Sequence, residues 1–438
     1  MDPMKIRTLA IATGLALGLA LHSAAASDLL EVYQLALEND PGLKAAEAQR
    51  LATREGIPQS RAVLLPKIDL GAEVAANHLD TDSGNDDYGD RGYSLSLSQV
   101  VYDRGLLVAR GQADEQANQA DATYEAVVQS LVLDVASRYF DVLAAIDDLG
   151  FARAEKAAIA RQLEQTKQRF EVGLIAITDV HEAQARYDLS VSQEIAAQNR
   201  LDSSQEALRE LTSILPESLA PLGESLPLIR PEPEDMEAWV AAAEQQNLQL
   251  LAARYGLNVA REEIKRQSAG HYPSLAVVGS HSYSDSDAAG MSGGERDLST
   301  IGLQLNVPLY QGGLVTSRTR QAQYQFQQAS ETLEQSRRNT LRQTRDAYRG
   351  VIAGISQVKA LEQAVISNQS ALEATQAGFE VGTRTIVDVL DAQRALYGAQ
   401  RDYSQARYSY LVSTLSLKQA AGSLSVEDIK LVNGWLTH

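Results

Sequence analysis

"VGLIAITDVHEAQ" at residues 172–184 and "VGTRTIVDVLDAQ" at residues 381–393 are one motif written twice, 209 positions apart. The likeness extends well beyond the motif. "LLPKIDL" around Pro66 answers "HYPSLAV" around Pro273 at an offset of 207, and "SLSLSQVVYDRG" answers "GLQLNVPLYQGG" at 208. Such a period is far too long for a solenoid, whose units run to about 50 residues at most. The chain of 438 residues therefore divides into two halves of like construction, residues 27–215 and 235–424, with a linker over 216–234 and a tail over 425–438.

Proline positions show where long helices are permitted, because an internal proline removes a hydrogen bond and clashes with the preceding turn. None of the 11 prolines falls between Pro66 and Pro216, and none follows Pro308. Pro216, Pro221, Pro227, Pro231 and Pro233 crowd into the linker. Each half is expected to run helix, strand, strand, very long helix, break, helix. The first helices are placed at residues 29–56 and 235–267, and the long ones at 105–171 and 313–380, each about 100 Å at 1.5 Å per residue. Val128, Leu131, Val135, Val142 and Leu149 keep heptad spacing, as in helices wound on partners. The composition agrees: Ala, Gln, Leu, Glu and Arg dominate, while Phe and Trp, the fillers of thick cores, number 5 and 2.

Two pairs of alternating segments interrupt the helices. In "KIDLGAEVAAN", Ile68, Leu70, Ala72 and Val74 alternate with Asp69, Gly71 and Glu73; in "YSLSLSQV", Tyr93, Leu95 and Leu97 alternate with serines. Leu275 and Val277, then Ile301, Leu303, Leu305 and Val307, repeat the pattern in the second half. Each segment has about ten residues, the length of a tilted strand crossing a membrane, with an apolar face for lipid and a small polar face for water. The joining segments "HLDTDSGNDDYGDRG" and "SHSYSDSDAAGMSGGERD" are acidic and Gly-rich and read as outer-face loops. Four strands cannot close a barrel, and open edges are not tolerated in lipid. Eight strands from two chains would have a filled interior, whereas twelve from three leave room for water, so a homotrimer is expected.

The N-terminus supports export. Lys5 and Arg7 precede "LAIATGLALGLAL" and then "HSAAAS", the parts of a secretory signal over residues 1–26 that would leave Ser27 as the mature N-terminus. The apolar run is short of the roughly 20 residues that span a bilayer. The chain has no cysteine, hence no disulfide or thiolate site. A net charge of -18 argues against a nucleic-acid partner.

Catalytic patterns are scarce. "GMSGG" at residues 290–294 fits G-x-S-x-G, but the nucleophile elbow joins a strand to a helix, whereas Ser292 falls in a polar segment between strands. The six histidines form no H-E-x-x-H, and His181 beside Glu182 has no second histidine at i+4. No metal, cofactor or enzymatic activity is expected. The competing class is a soluble periplasmic coiled-coil scaffold or adaptor, which has no reason to carry lipid-length alternating strands.

At the repeated "VG" motifs, and from "LLEVYQLALENDPGLKAAEAQR" to "YLVSTLSLKQAAGSL", the chain closely resembles the TolC family of outer-membrane exit ducts. The resemblance implies a mainly helical fold with membrane strands: a trimeric twelve-stranded outer-membrane barrel continued by a twelve-helix periplasmic tube. It implies an outlet for multidrug efflux and type I protein secretion, joined through a periplasmic adaptor to an inner-membrane transporter. It also implies that Gly173 and Gly382 turn the hairpins at the periplasmic tip. There Arg384 reaches Thr178 and Asp179 to hold the tip closed, and Asp388 and Asp391 ring the constriction with carboxylates. Thr385-x-x-Asp388 equally fits a helix-capping box. Phe379 stands where the family carries a gating tyrosine, so a hydroxyl bond to Asp179 is unavailable and the closed state is expected to be weaker by about 1 kcal/mol.

Overall fold

The computed structural model describes residues 26–81, 84–288 and 294–437. The first half runs α1 (Leu29–Asn39), α2 (Pro41–Arg54), α3 (Gly56–Ala62), β1 (Lys67–Thr81), β2 (Gly84–Tyr102), α4 (Arg104–Glu171) and α5 (Ile177–Thr212). The second runs α6 (Met236–Gln246), α7 (Leu248–Ser268), β3 (Ser274–Ser286), β4 (Gly294–Asn306), α8 (Leu314–Glu380) and α9 (Ile386–Ala421), and α10 (Val426–Asn433) follows. Helices α4 and α8 have 68 and 67 residues, close to the expected bounds.

The single helices expected at 29–56 and 235–267 are each broken. Asp40 stops α1 and caps α2, its Oδ2 accepting from the Leu43 N–H at 2.7 Å, and Pro41 takes the first helical position, where its missing N–H costs nothing. Asn247 does the same between α6 and α7, accepting from the Leu250 N–H at 3.0 Å. The periodic apolar pattern carries across both breaks, so only the caps betray them.

All four strands form one antiparallel sheet in the order β1-β2-β3-β4, and the β2–β3 pairing joins the two halves. The strands have 15, 19, 13 and 13 residues, longer than expected, because much of both supposed loops is strand. The β1–β2 register is unbroken from Lys67↔Ser98 to Thr81↔Gly84. Cross-strand partners hold the acidic stretch in the ladder: the Asn77 amide donates to Asp90 at 2.6 Å, and His78 Nδ1 lies 2.5 Å from Asp87. Asp, Asn and Gly are poor strand formers individually, which is why the stretch reads as loop until its pairing is seen. Ser292 and residues 1–25 of the expected signal lie outside the described residues.

The main core sits midway along the long helices. Tyr139, Phe140, Tyr410, Leu411, Leu415 and Ile429 are almost wholly buried, bringing α4, α9 and α10 together with α1. The tail, expected only as a C-terminal extension, is thus partly helix: Ser425 and Asp428 form a capping box at the start of α10, and Lys418 pairs with Asp428. Asn433 then clasps the other terminus, its Oδ1 accepting from the Leu29 N–H at 2.9 Å and its amide donating to Asp28 at 2.8 Å.

Tyrosines pin the linker to this core. The Tyr139 hydroxyl donates to the Ala220 carbonyl at 2.7 Å, and burial pushes its pKa well up. The Tyr410 hydroxyl accepts from the Ile229 N–H at 2.8 Å and donates to the Ile229 carbonyl at 2.9 Å. From Tyr139, α4 extends roughly 50 Å each way, to the sheet and to the hairpin tip. Tyr410→Phe leaves both Ile229 backbone groups unpaired at the core edge and is expected to cost about 1–3 kcal/mol. A lowered melting temperature in detergent, followed by circular dichroism, checks this; an unchanged one removes Tyr410 as the linker's anchor.

Candidate functional site

Two regions can act on something outside the chain: the sheet and the hairpin tips. The register sorts the sheet side chains into faces. One face carries the rows Ile68–Leu97–Gly279–Ile301 and Leu70–Leu95–His281–Ser299, with Val277↔Leu303 and Leu275↔Leu305 toward the helices. Leu70 on β1 and Ile301 and Leu303 on β4 are 75%, 80% and 73% exposed, too much bare hydrocarbon on one face of the sheet for a surface facing water. One row further from the helices, Tyr93 and Tyr283 stack at 5.6 Å between centroids, with His281 5.8 Å from Tyr93. Beyond these lies the Arg91–Asp285 ion pair. Apolar, aromatic, charged is the sequence of environments from hydrocarbon to headgroup. The opposite face carries Asp69–Ser96–Ser280–Thr300 and Gly71–Ser94–Ser282–Leu298, polar but for Leu298.

At the other end, α4–α5 and α8–α9 each reverse through the same turn. Gly173 and Gly382 adopt φ of +76° and +80°, which glycine takes without a Cβ penalty. The Leu174 N–H reaches back to the Arg169 carbonyl at 2.9 Å and the Gly173 N–H to Phe170 at 2.9 Å; Thr383 and Gly382 repeat this with Gly378 and Phe379 at 2.8 and 3.2 Å. Both are Schellman closures of a long helix.

The copies then diverge. Ala176 begins α5 with no side-chain cap, whereas Thr385 begins α9 with a full capping box. The Asp388 carboxylate accepts from the Thr385 N–H at 2.8 Å and hydroxyl at 2.9 Å, while the Asp388 N–H donates to Thr385 Oγ1 at 3.2 Å. The Thr385 backbone bond, then its hydroxyl, hold the Asp388 carboxyl below its ordinary 3.8, and the nearby Arg384 charge adds to this. Gly378 has its own role: a Cβ there would lie 2.8 Å from Arg384 Cγ and 3.2 Å from Thr383 Oγ1, so the missing side chain leaves the lane in which Arg384 lies. The first copy has Arg169 at that position.

Not all the tip residues singled out in the sequence meet within one chain. Among the described residues Arg384 forms no hydrogen bond or ion pair through its side chain, and neither Thr178 nor Asp179 is paired with it. Asp391, three residues from Asp388 on α9, is held instead by Arg186 of α5 at 3.0 Å. Phe379 stacks under the Arg169 guanidinium at 4.5 Å and packs against the cluster of Ile159, Leu163, Ala183, Ile386 and Leu390 that joins the hairpins. Arg186 was missed in the sequence; its only local signal is the i,i+4 spacing from Glu182, which says nothing of a partner on α9.

A sheet with a lipid-suited face, carried on helices that end in paired polar tips, defines an outer-membrane duct. The outer membrane efflux protein family model matches residues 32–213 and 239–423, most of the chain, and the chain belongs to that family. It is 47% identical over 424 residues to the outer membrane protein TolC of Vibrio cholerae, covering 96% of each chain. It is 32% identical over 424 residues to the alkaline protease secretion protein AprF of Pseudomonas aeruginosa, covering 94% of this chain and 88% of that one. The CmeC outer membrane channel of Campylobacter jejuni shares the fold with a TM-score of 0.78 at 17% identity, covering 100% of this chain and 98% of that one. The protein is thus a TolC-like outer-membrane efflux channel, a conduit and not an enzyme, of a kind that works with partner proteins.

Thr385→Ala removes the α9 cap and is expected to speed deuterium uptake by residues 385–389 about fivefold, read by mass spectrometry. Because the folded Asp388 pKa is depressed, the stabilisation it brings is present above the ordinary aspartate value and is lost as pH falls through the lower folded value. The uptake difference between wild type and Asp388→Asn should therefore close only below pH 3.8. Closure at higher pH contradicts the assignment.

Proposed function

We propose that the chain is the exit duct of a tripartite machinery for multidrug efflux and type I protein secretion. Three copies form it, and a periplasmic adaptor with an inner-membrane transporter opens its periplasmic tip. The carrying observation is the sheet: β1 and β4 are both edges, and the face beside them is apolar. Unpaired edge N–H and C=O groups in hydrocarbon cost several kcal/mol each, so β4 of one copy must pair with β1 of the next. Three copies of four strands give twelve, the smallest multiple here with a water-filled lumen. The relatives named for TolC and for alkaline protease secretion support an efflux and secretion role. Export by a signal cleaved after Ala26 fits the pairing of Ser27 with Ser218 and Leu219 at the start of the fold.

The tip is the gate in this reading. Among the described residues of its own chain Arg384 has no ion-pair partner, and it reaches Thr178 and Asp179 of a neighbouring copy, while Asp388 and Asp391 converge on the axis. Mutual repulsion of these carboxylates favours opening once the arginine contacts break. Phe379 contributes packing but no hydroxyl bond to Asp179.

Arg384→Ser is expected to raise single-channel conductance in planar bilayers several-fold, and Gly378→Ala, by displacing Arg384, to do so in part. Asp388→Ala with Asp391→Ala is expected to weaken cation selectivity and block by multivalent cations. Native mass spectrometry in detergent should return a trimer. A monomer with wild-type conductance in the Arg384 variant would overturn the duct assembly and the gate together.

A further inference from the structure

The two hairpins of one chain touch little along their length near the tip, and α5 meets α9 chiefly through Ala183, Ile386 and Leu390. On the rim of that cluster Arg186 Nη2 lies 3.0 Å from Asp391 Oδ1, an ion pair that crosses from the first hairpin to the second. The Arg186 side chain is only 25% exposed, and Asp391 is 57% exposed. Arg186 Nε lies 3.3 Å from Glu182 Oε1, yet it is buried without a well-formed hydrogen bond, so the guanidinium is committed toward α9 by packing more than by its own helix. Asp388 is fixed differently, by the cap of its own helix. The two carboxylates three residues apart thus answer to different elements.

We propose that Arg186 is a second latch at the constriction and sets its ionic selectivity, a reading that rests on the proposed gate. In a trimer, six carboxylates at positions 388 and 391 face three Arg186 guanidinium groups in the closed state. The arginines cancel half the formal charge of the ring and weaken its hold on cations. Any opening that draws α5 away from α9 breaks the Arg186–Asp391 pair and bares Asp391. Opening and cation attraction are therefore coupled: the closed tip is screened by its own arginines, and the open tip is more strongly acidic. The motif "VHEAQARYD" supplies Arg186 and "VDVLDAQRALY" supplies Asp391; these are not equivalent positions of the repeat, Asp391 answering to Glu182 and Arg186 to Ala395.

The test uses the full-length protein in planar bilayers, with La3+ block and the reversal potential in a KCl gradient as readouts. Arg186→Gln is expected to tighten La3+ block about tenfold, as removal of a positive charge some 3 Å from a carboxylate should, and to move the reversal potential toward that of a cation-selective pore. Asp391→Asn should weaken block, and adding Arg186→Gln to it should change block by less than Arg186→Gln does alone. If Asp391→Asn weakens block while Arg186→Gln leaves it unaltered, the second latch is wrong and the gate stands. If Asp391→Asn also changes nothing, the gate reading falls with it. Should Arg186→Gln fail to assemble, Arg186→Asp is paired with Asp391→Arg: recovery of the trimer with wild-type block supports the latch, and failure to recover either overturns it.

Discussion

The structure depends on the impossibility of an open sheet edge in hydrocarbon. The β-sheet of this chain is complete as a ladder and incomplete as a surface: every inner strand is paired, while β1 and β4 each leave a row of backbone groups without partners. In the proposed trimer that incompleteness drives assembly, and assembly in turn explains the helices. A helix about 100 Å long has no place inside one globular domain, but it fits the wall of a tube whose other staves come from neighbouring copies. The modest apolar content of the long helices follows, since each stave needs narrow seams and no thick core. Among the described residues the one substantial core lies midway, where α1, α10 and the linker brace the staves.

Bracing at mid-length has a mechanical consequence. The sheet and the hairpin tips are each roughly 50 Å from the buried Tyr139–Phe140–Tyr410 core, so a rearrangement at the tips need not propagate into the membrane. The tip clusters are small by comparison: a handful of aliphatic side chains join the hairpins there, and Leu372, Val389 and Leu396 pack within the second hairpin. Stability is concentrated where movement is not required, and the tips are left to polar contacts that can exchange partners. This division suits the proposed duct, in which partner proteins act on the tips and leave the membrane end undisturbed.

Much of this was legible in the sequence, and the failures have physical causes. The bounds of α4 and α8 could be read almost to the residue because proline-free windows and glycine turns punctuate a strong periodic pattern. The broken helices were not foreseen, because Asp40 and Asn247 cap new helices without disturbing the apolar pattern. The strand extensions were missed for a different reason. Residues such as Asp87, Asp90 and Asn77 disfavour strand one at a time and become strand by pairing across the ladder. Helix α10 hid in a short tail whose burial depends on contacts with residues some 400 positions away. At the tip the candidate residues were visible as a motif, but the Arg186–Asp391 partnership joins positions 205 apart, from Arg186 to Asp391, and no local spacing encodes it.

Duplication explains the common shape of the hairpins, and the departures from it explain why they are not interchangeable. Both copies close with the same Schellman turn, so the glycine is demanded by geometry alone. What differs lies within a turn or two of it: Gly378 against Arg169, the capped Thr385 against the uncapped Ala176, Asp391 against Glu182. The changes act differently: Arg169 stacks over Phe379 of the second hairpin, Thr385 caps α9, and positions 182 and 391 stay acidic in both copies. The counter-charge to Asp391 comes from Arg186, whose equivalent in the second hairpin is the uncharged Ala395. The seam between the hairpins carries an ion pair and an arginine–aromatic contact, both of which last only while the hairpins stay together. At the proposed gate the two copies thus meet through residues in which they differ, Arg186 against Asp391 and Arg169 against Phe379.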